Sequence, residues 1–258
     1  MLIQFFRRSL RKFVHFLPLS LRQEIGCIFA LQRWDFTYAS DGLLTVHNSD
    51  FLREASFLDA YSTGKATHSW GQDDIAWRAH VCCWAASSAL RLDGDFVECG
   101  VNRGGLSATV MRFIDFANVD KTFYLLDTFQ GLVERYSSVT ERENQLQRGG
   151  YQDCLEDVRS TFSQYDNVKI VPGAVPETLP LVSTDRIAYL SIDMNCVEPE
   201  IAAISYFWDK LVPGAIVVLD DYGVTMHIAQ KLAFDSFAKQ MGTSVLSLPT
   251  GQGLILKV

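Results

Sequence analysis

The sequence lacks any apolar run that reaches the roughly 20 residues a helix needs to span a membrane. Charged residues interrupt its apolar N-terminal segment, and no clear small-residue cleavage site follows, so we do not expect a secretory signal. None of the six cysteines shows C-x-x-C spacing, which argues against the common zinc and redox motifs. We therefore expect reduced thiols in a cytoplasmic protein.

Positive charge is also scarce: 23 Lys and Arg residues face 30 Asp and Glu residues, for a net charge of −7. This balance argues against a general nucleic-acid-binding protein. Residues 1–34 are the exception, because they mix aromatic residues with six basic ones. Two interpretations remain open for this segment: an arm that packs on the domain or on a second subunit of a homo-oligomer, or a peripheral membrane helix. We favour the arm because Pro18 ends the helical pattern early.

The apolar content is high, at 48% of 258 residues, and suffices for one large α/β domain. We expect residues 35–92 to form a helical cap region, in which residues 76–92 are a clear apolar helix. His68, Trp70, Asp73 and Asp74 lie in a polar loop before that helix. Such a loop could cover a substrate, but a solvated loop is the simpler explanation. Residues 93–258 then form the main domain.

Strand and helix patterns alternate from Asp95 onward, which predicts a parallel sheet with helices on both faces. The predicted strands are 96–99, 122–126, 168–171, 187–192 and 215–219. The predicted helices are 106–116, 151–162, 198–211 and 226–240, with a short helical turn at 177–181. Residues 244–248 and 254–258 predict a closing antiparallel pair. The connection 128–150 is long and polar, with Arg135, Arg142 and Arg148, and is a candidate mobile lid.

A glycine-rich turn follows the first of these strands and leads into a helix at Leu106. Glu98 and Gly100 end the strand, and Gly104 and Gly105 open the helix. Backbone N–H groups in such a turn approach a ligand at the positive end of the helix. The spacing is not the dinucleotide fingerprint G-x-G-x-x-G, so the turn alone does not identify the ligand.

Carboxylates end four of the predicted strands: Glu98, Asp127, Asp193 and Asp220. Because the ends of parallel strands meet at one edge of the sheet, we expect these side chains to share a crevice. Asp127 suits a ribose diol as a bidentate acceptor, and we favour this role over a structural loop cap. Asp193 with Asp220 and Asp221 offers three carboxylates from neighbouring strands, which suits Mg²⁺. The alternative is that Asp220 and Asp221 cap the following loop.

Four ordered runs, DFVECGVNRGG, YLLDTFQGL, YLSIDMNCVEPE and LVPGAIVVLDDYG, resemble the class I S-adenosylmethionine-dependent methyltransferases. Among these, they look most like the TylF/MycF family of sugar O-methyltransferases. The resemblance implies a Rossmann-like fold with a mostly parallel seven-stranded sheet and a reversed last strand. It also implies S-adenosylmethionine as cofactor and a divalent cation, bound by Asp193, Asp220 and Asp221.

The resemblance further assigns cofactor-binding residues by motif. Around the methionine and ribose these would be Glu98, Gly100, Asn102, Gly104, Ser107, Asp127, Thr128 and Phe129, and at the adenine Gly173, Ala174 and Val175. Members of the family usually carry another acidic residue or a tyrosine soon after the position of Asp193. Here Met194, Asn195 and Cys196 stand instead, so the proton acceptor is open between Asp193 and His227.

Three functions remain to be distinguished. The first is an O-methyltransferase that acts on a hydroxyl of a sugar, glycoside or other small-molecule or glycan acceptor, with metal assistance. The second is a nicotinamide-dependent oxidoreductase, which the missing G-x-G-x-x-G argues against. The third is a non-catalytic partner-binding domain, which the four acidic strand ends argue against.

Overall fold

The computed structural model of the protein describes residues 35–147 and 149–258. These residues fall into two compact units. The first comprises residues 35–39 and 43–49, and the second comprises residues 40–42 and the described residues from Asp50 onward. A hairpin of β1 (Tyr38–Ser40) and β2 (Leu43–Thr45) forms a separate two-stranded sheet. We predicted only helices and loops here, because strands of three residues are too short to show alternation. The predicted N-terminal arm lies outside the described residues.

The main sheet has seven strands in the order β5-β4-β3-β6-β7-β9-β8. They are β3 (Asp95–Cys99), β4 (Phe123–Asp127), β5 (Val168–Pro172), β6 (Ile187–Ile192), β7 (Leu211–Leu219), β8 (Leu246–Ser247) and β9 (Gly253–Leu256). The first five are parallel to one another, whereas β9 is antiparallel to both β7 and β8. The predicted mostly parallel sheet with a reversed last strand is confirmed.

Seven α-helices accompany the strands within the described residues. They are α1 (Ala55–Lys65), α2 (Ala76–Ala89), α3 (Gly105–Phe113), α4 (Val139–Gln147), α5 (Leu155–Phe162), α6 (Val197–Phe207) and α7 (Ile228–Gln240). None of them is both long and apolar enough to cross a bilayer. The predicted helices agree with these except at their ends and at α4, which lies inside the connection predicted as a loop.

One boundary differs for a clear reason. Strand β7 starts at Leu211 rather than at residue 215, although Pro213 and Gly214 are unfavourable in a strand. The Gly214 N–H donates to the Lys257 carbonyl at 2.7 Å. Pairing with the end of the chain therefore extends the strand across a sequence that predicts a turn.

The core lies around the central strands. All six residues of β6 are buried, so both faces of the sheet are covered at this strand. Phe96, Phe123 and Tyr189 bring their rings together across β3, β4 and β6, with centroids 5.2 to 6.2 Å apart. Such continuous apolar strands are typical of a parallel sheet buried on both faces.

The chain reverses its direction of travel across the sheet between β3 and β6. From β3 it proceeds outward to β4 and β5, and it then returns to β6 on the other side of β3. A crevice opens at the carboxyl edge of an α/β sheet where such a reversal occurs, and ligands bind there. The glycine turn and the acidic strand ends all follow strands at this edge.

Candidate active site

Gly100 holds the turn after β3 against the end of β6. Its φ is +90°, and a Cβ at this position would lie 1.9 Å from the carbonyl oxygen of Asp193. The Asp193 N–H donates in turn to the Cys99 carbonyl at 2.8 Å. Only glycine allows this close approach, which brings the two loops of the crevice together.

Asp127 organises the glycine turn from the end of β4. Its Oδ2 accepts the backbone N–H groups of Val101 at 2.6 Å and Asn102 at 2.7 Å. Its Oδ1 accepts the N–H of Phe129 at 2.7 Å. The structural cap that we had ranked second is therefore present.

The cap leaves Asp127 one acceptor position. A carboxylate offers about four lone-pair sites, and three are filled by backbone N–H groups. The Thr128 hydroxyl lies 3.3 Å from Oδ1 but 2.7 Å from the Gly131 carbonyl. Because a hydroxyl donates one proton, we expect it to go to Gly131. One site on Oδ1 then remains for a ligand hydroxyl, so the predicted bidentate contact reduces to a single bond.

A first cavity extends from this turn along the ends of β4 and β5. Eight predicted cofactor residues line it: Gly100, Asn102, Asp127, Thr128, Phe129, Gly173, Ala174 and Val175. Glu98, Gly104 and Ser107, also predicted, do not line it and are buried. We had not predicted the part of the wall formed by Leu132, Val133, Tyr136, Tyr151, Gln152 and Cys154. These residues belong to the connection after β4 and the start of α5, where no motif marks them.

Glu98 lies buried at the end of β3, beside the glycine turn. It is 2% exposed, and its Oε2 has no hydrogen-bond partner among the described residues. Burial raises the pKa of Glu98 to about 8, and the negative charges of Asp220 and Asp127 add to this. The side chain therefore keeps its proton to higher pH than an exposed glutamate does.

A second cavity, of about 540 Å³, adjoins the first. Its wall is polar and includes Asp193, Asp220, Asp221 and His227 together with Arg78 and Asn195. Four residues line both cavities: Asn102, Tyr151, Gln152 and Asp193. The volume lies within the range of small-molecule sites. His68, Trp70 and Asp73, from the loop before α2, also line the second cavity, whereas Asp74 does not.

Asp193 stands at the boundary of the two cavities. Burial raises its pKa well above the usual value, Asp220 and Asp221 add to the increase, and Arg78 opposes it. The Asn195 Nδ2 group donates to Asp193 Oδ1 at 3.3 Å and to the Tyr151 hydroxyl at 3.2 Å. Asn195, which stands where an acidic or tyrosine residue was expected, thus orients Asp193.

A buried glutamate supports the same loop. The Glu200 Oε1 atom accepts the Met194 N–H at 3.1 Å and the Gln230 Nε2 group at 2.7 Å. Burial raises the pKa of Glu200 to about 8, and Asp221 adds to this. We did not predict Glu200, because a glutamate in the first turn of a helix is ordinarily explained by the helix dipole.

Asp220 is bonded through both oxygens. Arg78 Nη1 donates to Oδ2 at 2.6 Å, and Gln252 Nε2 donates to Oδ1 at 3.0 Å. Within residues 35–147 and 149–258, no group of three or more His, Cys, Asp or Glu side chains is gathered so that it could hold a metal ion. The three predicted ligands therefore line the same cavity, but their side chains are not arranged around a common metal position.

His227 is buried beside this group. Its Nε2 lies 3.7 Å from Asp221 Oδ2, too far for a hydrogen bond, and has no partner within the part of the chain that the structure describes. His227 lines the second cavity but not the first. Of the two predicted proton acceptors, only Asp193 borders both cavities.

The connection 128–150 is more ordered than a polar loop. Ser138 and Glu141 form a capping box at the start of α4: the Ser138 N–H donates to Glu141 Oε2 at 2.6 Å, and the Glu141 N–H donates to Ser138 Oγ at 3.2 Å. The spacing S-x-x-E was visible in the sequence and would have predicted this helix. Glu141 Oε1 also accepts the Val197 N–H, at 2.8 Å, and so links α4 to the start of α6.

Two of the three arginines in this connection are engaged with protein groups. Arg135 pairs with Glu177, and Arg142 donates to the carbonyls of Glu134 and Ser137. Arg148 lies outside the described residues.

Comparison with known proteins identifies the group to which this geometry belongs. The sequence profile of the macrocin-O-methyltransferase (TylF) family matches residues 81–245. A tetracenomycin-C 4'-O-methyltransferase of Streptomyces olivaceus, which acts on a dimethoxy-rhamnosyl form, is 35% identical over 141 residues, 51% of this chain and 54% of that protein. Mycinamicin III 3''-O-methyltransferase of Micromonospora griseorubida is 27% identical over 191 residues, 68% of this chain and 75% of that protein.

Among solved structures, the O-methyltransferase NovP superimposes with a TM-score of 0.60 at 26% identity, over 70% of this chain and 79% of that one. The strand order, the reversed last strand and the crevice at the reversal define the class I methyltransferase fold. The chain belongs to the macrocin-O-methyltransferase (TylF) family. It spans about half the length of the Streptomyces olivaceus relative that it matches.

Proposed function

We propose that the protein is an S-adenosylmethionine-dependent O-methyltransferase that acts on a hydroxyl of a sugar or glycoside. The family assignment supports the reaction class, and the names of the two relatives supply the acceptor class. The first cavity would take the cofactor and the second the acceptor. The single observation that carries the proposal is that Asp193 forms a wall common to both cavities.

The residues of the first cavity fit the cofactor. Asp127 keeps one acceptor site for a ribose hydroxyl, and Asn102 borders both cavities near the glycine turn. Val133 and Val175 provide apolar wall for an adenine ring, with Gly173 and Ala174 beside them. Glu98, Gly104 and Ser107, predicted for the same role, are buried and do not line this cavity.

Asp193 is the proton acceptor in this proposal. S-adenosylmethionine supplies a methyl group on a sulfonium, and a bound divalent cation would lower the pKa of the acceptor hydroxyl. Asp193 borders both cavities, so its carboxylate can accept the proton of a hydroxyl that faces the cofactor. Asn195 fixes its orientation, and His227 lies farther from the first cavity. His227 is therefore our second candidate for the general base.

We also propose that a divalent cation, Mg²⁺ by its preference for carboxylates, assists the reaction. The support is the chemistry of the donor set. Asp193, Asp220 and Asp221 border one cavity, and burial together with the charges of Asp220 and Asp221 raises the pKa of Asp193. Asp220 keeps one lone pair on each oxygen beyond its bonds to Arg78 and Gln252.

Within this proposal, residues 93–258 are the catalytic domain and residues 35–92 a cap that contributes His68, Trp70, Asp73 and Arg78 to the acceptor cavity. We place the protein in the cytoplasm. The supporting observation is that the five cysteines in the described residues are all buried free thiols.

A methyl-transfer screen tests the function. Purified protein is incubated with S-adenosylmethionine and a panel of sugars, glycosides and catechols, with Mg²⁺ and with a chelator, and S-adenosylhomocysteine is measured. We expect turnover on a glycoside with vicinal hydroxyls, loss of turnover on chelation, and at least a hundredfold lower rate for Asp193→Asn. His227→Asn should retain most of the rate.

The same panel distinguishes the alternatives. Calorimetry that shows NAD binding in place of S-adenosylmethionine would favour the oxidoreductase that the sequence left open. Binding of neither cofactor would favour a non-catalytic domain. Full turnover after exhaustive chelation would contradict the cation while leaving the methyltransferase assignment in place.

A further inference from the structure

The loop before α2 docks on the glycine turn through Ser69. The Gly105 N–H donates to Ser69 Oγ at 2.8 Å, and Asn102 Nδ2 donates to the Ser69 carbonyl at 3.1 Å. The loop thus supplies an acceptor for the first N–H group of α3, which has no partner within its own helix. Because Trp70 follows Ser69, these two bonds also fix the backbone from which the Trp70 ring extends.

Two glycines hold the far edge of the Trp70 indole ring. A Cβ on Gly105 would lie 2.2 Å from Trp70 Cζ3, and a Cβ on Gly64 would lie 3.0 Å from Trp70 Cη2. A side chain at Gly105 would therefore displace the ring. The Tyr61 ring stacks on Trp70, with centroids 5.7 Å apart and an interplanar angle of 10°. These contacts on one edge and one face restrict the indole ring to a single orientation.

Trp70 also forms part of the wall of the second cavity. Its Nε1 atom is buried and has no hydrogen-bond partner among the described residues, so the cavity meets ring carbons rather than the N–H group. The far edge lies against the glycines and one face lies against Tyr61, which leaves the opposite face for a ligand. A rigid aromatic face binds a ligand at little cost in conformational entropy.

The same wall is rich in hydrogen-bonding groups. Tyr151 is the other large aromatic residue in its described part, but it is 38% exposed. A sugar carries hydroxyls around its ring and C–H groups on its faces. The hydroxyls match the amides, and the C–H groups are attracted to the negative face of an aromatic ring. Six side-chain amides line the cavity: Gln72, Asn102, Asn144, Gln145, Gln152 and Asn195.

We propose that Trp70 is the platform on which the acceptor sugar lies, and that it selects a glycoside with an apolar C–H face. This inference rests on the O-methyltransferase function proposed above. Trp70 lines the second cavity but not the first, so it contacts the acceptor and not the cofactor. Because the contact is made to C–H groups of the sugar, it does not involve a metal ion.

Saturation-transfer NMR tests this contact directly. The protein is saturated with S-adenosylhomocysteine and mixed with the methyl glycosides of rhamnose, glucose and galactose, and its aromatic protons are irradiated. We expect transfer mainly to the C–H protons on one face of at least one of these sugars. A residue that shaped the cavity without touching the sugar would not produce this pattern.

Trp70→Leu should remove the transfer, because leucine keeps apolar volume but has no aromatic face. The affinity for the glycoside should fall about 2- to 10-fold, as expected for the loss of one aromatic contact. Trp70→Phe keeps a ring and should retain the transfer at lower intensity. Calorimetry should show wild-type S-adenosylmethionine affinity in both variants.

Trp84→Leu is the matched control. Trp84 also lies in the cap region, on α2, but it is 53% exposed and lines neither cavity. We expect wild-type transfer and wild-type glycoside affinity in this variant. Thermal unfolding shows whether each variant is folded, and if Trp70→Leu does not fold, Trp70→Phe and the pattern in the wild type decide the question.

Several outcomes would overturn the inference. Equal transfer to the C–H protons of both faces in the wild type would exclude stacking on one aromatic face. Transfer that Tyr151→Leu removes but Trp70→Leu retains would place the platform at Tyr151. A protein that binds S-adenosylmethionine but none of the glycosides would contradict the sugar acceptor, and the platform with it. In contrast, glycoside binding that is equal in wild type and Trp70→Leu would reject only the platform.

Discussion

At the scale of single residues, Asp127 shows how one side chain serves both fold and ligand. Its carboxylate accepts three backbone N–H groups from the loops that border the first cavity. The residue could therefore not be replaced without changing the shape of the turn, even if its ligand contact were unimportant. Mutational effects at Asp127 need to be separated into these two parts.

We expect Asp127→Asn to lower both cofactor affinity and stability. Hydrogen bonds to charged groups contribute about 1.5–3 kcal/mol each. The asparagine side chain has one acceptor oxygen only, so its NH₂ group would face at least one backbone N–H group without forming a hydrogen bond. Calorimetry should show weaker S-adenosylmethionine binding, and urea denaturation should show a lower free energy of unfolding. The control is Asp59→Asn, which breaks an exposed ion pair far from the cavity. Unchanged stability with reduced affinity would assign Asp127 to the ligand alone.

At the scale of secondary-structure elements, the connection between β4 and α5, which contains α4, is a feature shared by the two cavities. The connection that carries it supplies walls to both, and Glu141 ties its first turn to the start of α6. Helix α4 has no buried residues. An element with so little buried surface is held mainly by such polar contacts, and local opening is correspondingly easy.

We predict that α4 closes over bound ligands, and that Glu141→Gln loosens it. The amide loses one of two acceptor oxygens, so either the capping box or the contact to Val197 is lost, at a cost of about 1 kcal/mol. Hydrogen exchange of the α4 amides and of Val197 should become roughly fivefold faster. Cofactor together with an acceptor should slow exchange in the wild type. Glu143→Gln, at an exposed position of the same helix, is the control. Equal exchange rates in wild type and Glu141→Gln would show that the contacts of Glu141 do not hold α4 in place.

At the scale of the whole molecule, buried acids make stability depend on pH. Burial raises the pKa of both Glu98 and Glu200 from 4.5 to about 8. Between these values the folded protein keeps protons that the unfolded chain releases. The stabilisation is therefore fully present below about pH 4.5 and is lost as the pH rises through about 8.

We expect the free energy of unfolding in metal-free buffer to fall between pH 5 and 8 and then to level off. Each of the two glutamates lowers the free energy of unfolding as the pH rises through that window. Glu200→Gln keeps the acceptor for Met194 and Gln230 but cannot ionise. It should match wild type near pH 5, exceed its stability at pH 8, and show a shallower slope. Urea denaturation at several pH values measures this, with the exposed Glu198→Gln as control. A slope equal to that of wild type would exclude Glu200 as a source.

The sequence by itself determined the class of fold and many of the residues that line the two cavities. Apolar strands that alternate with helices and end in carboxylates permit few arrangements, because parallel strands bring their ends to one edge. Eight of the predicted cofactor residues line the first cavity, and Asp193, Asp220, Asp221 and His227 line the second. Local pattern also contained the signal for α4, in the capping box from Ser138 to Glu141.

Only the tertiary structure decided how these residues divide their roles. Glu98, Gly104 and Ser107 belong to the right motif but are buried beneath it, because burial depends on how deeply the turn sits against β6 and α5. Arg78 and Gln252 meet Asp220 across 142 and 32 residues of sequence. No local pattern marks such contacts, since each depends on the docking of α2 and β9 against the sheet. The sequence defines the chemistry of each side chain, but the packing of distant segments determines which groups bind to it.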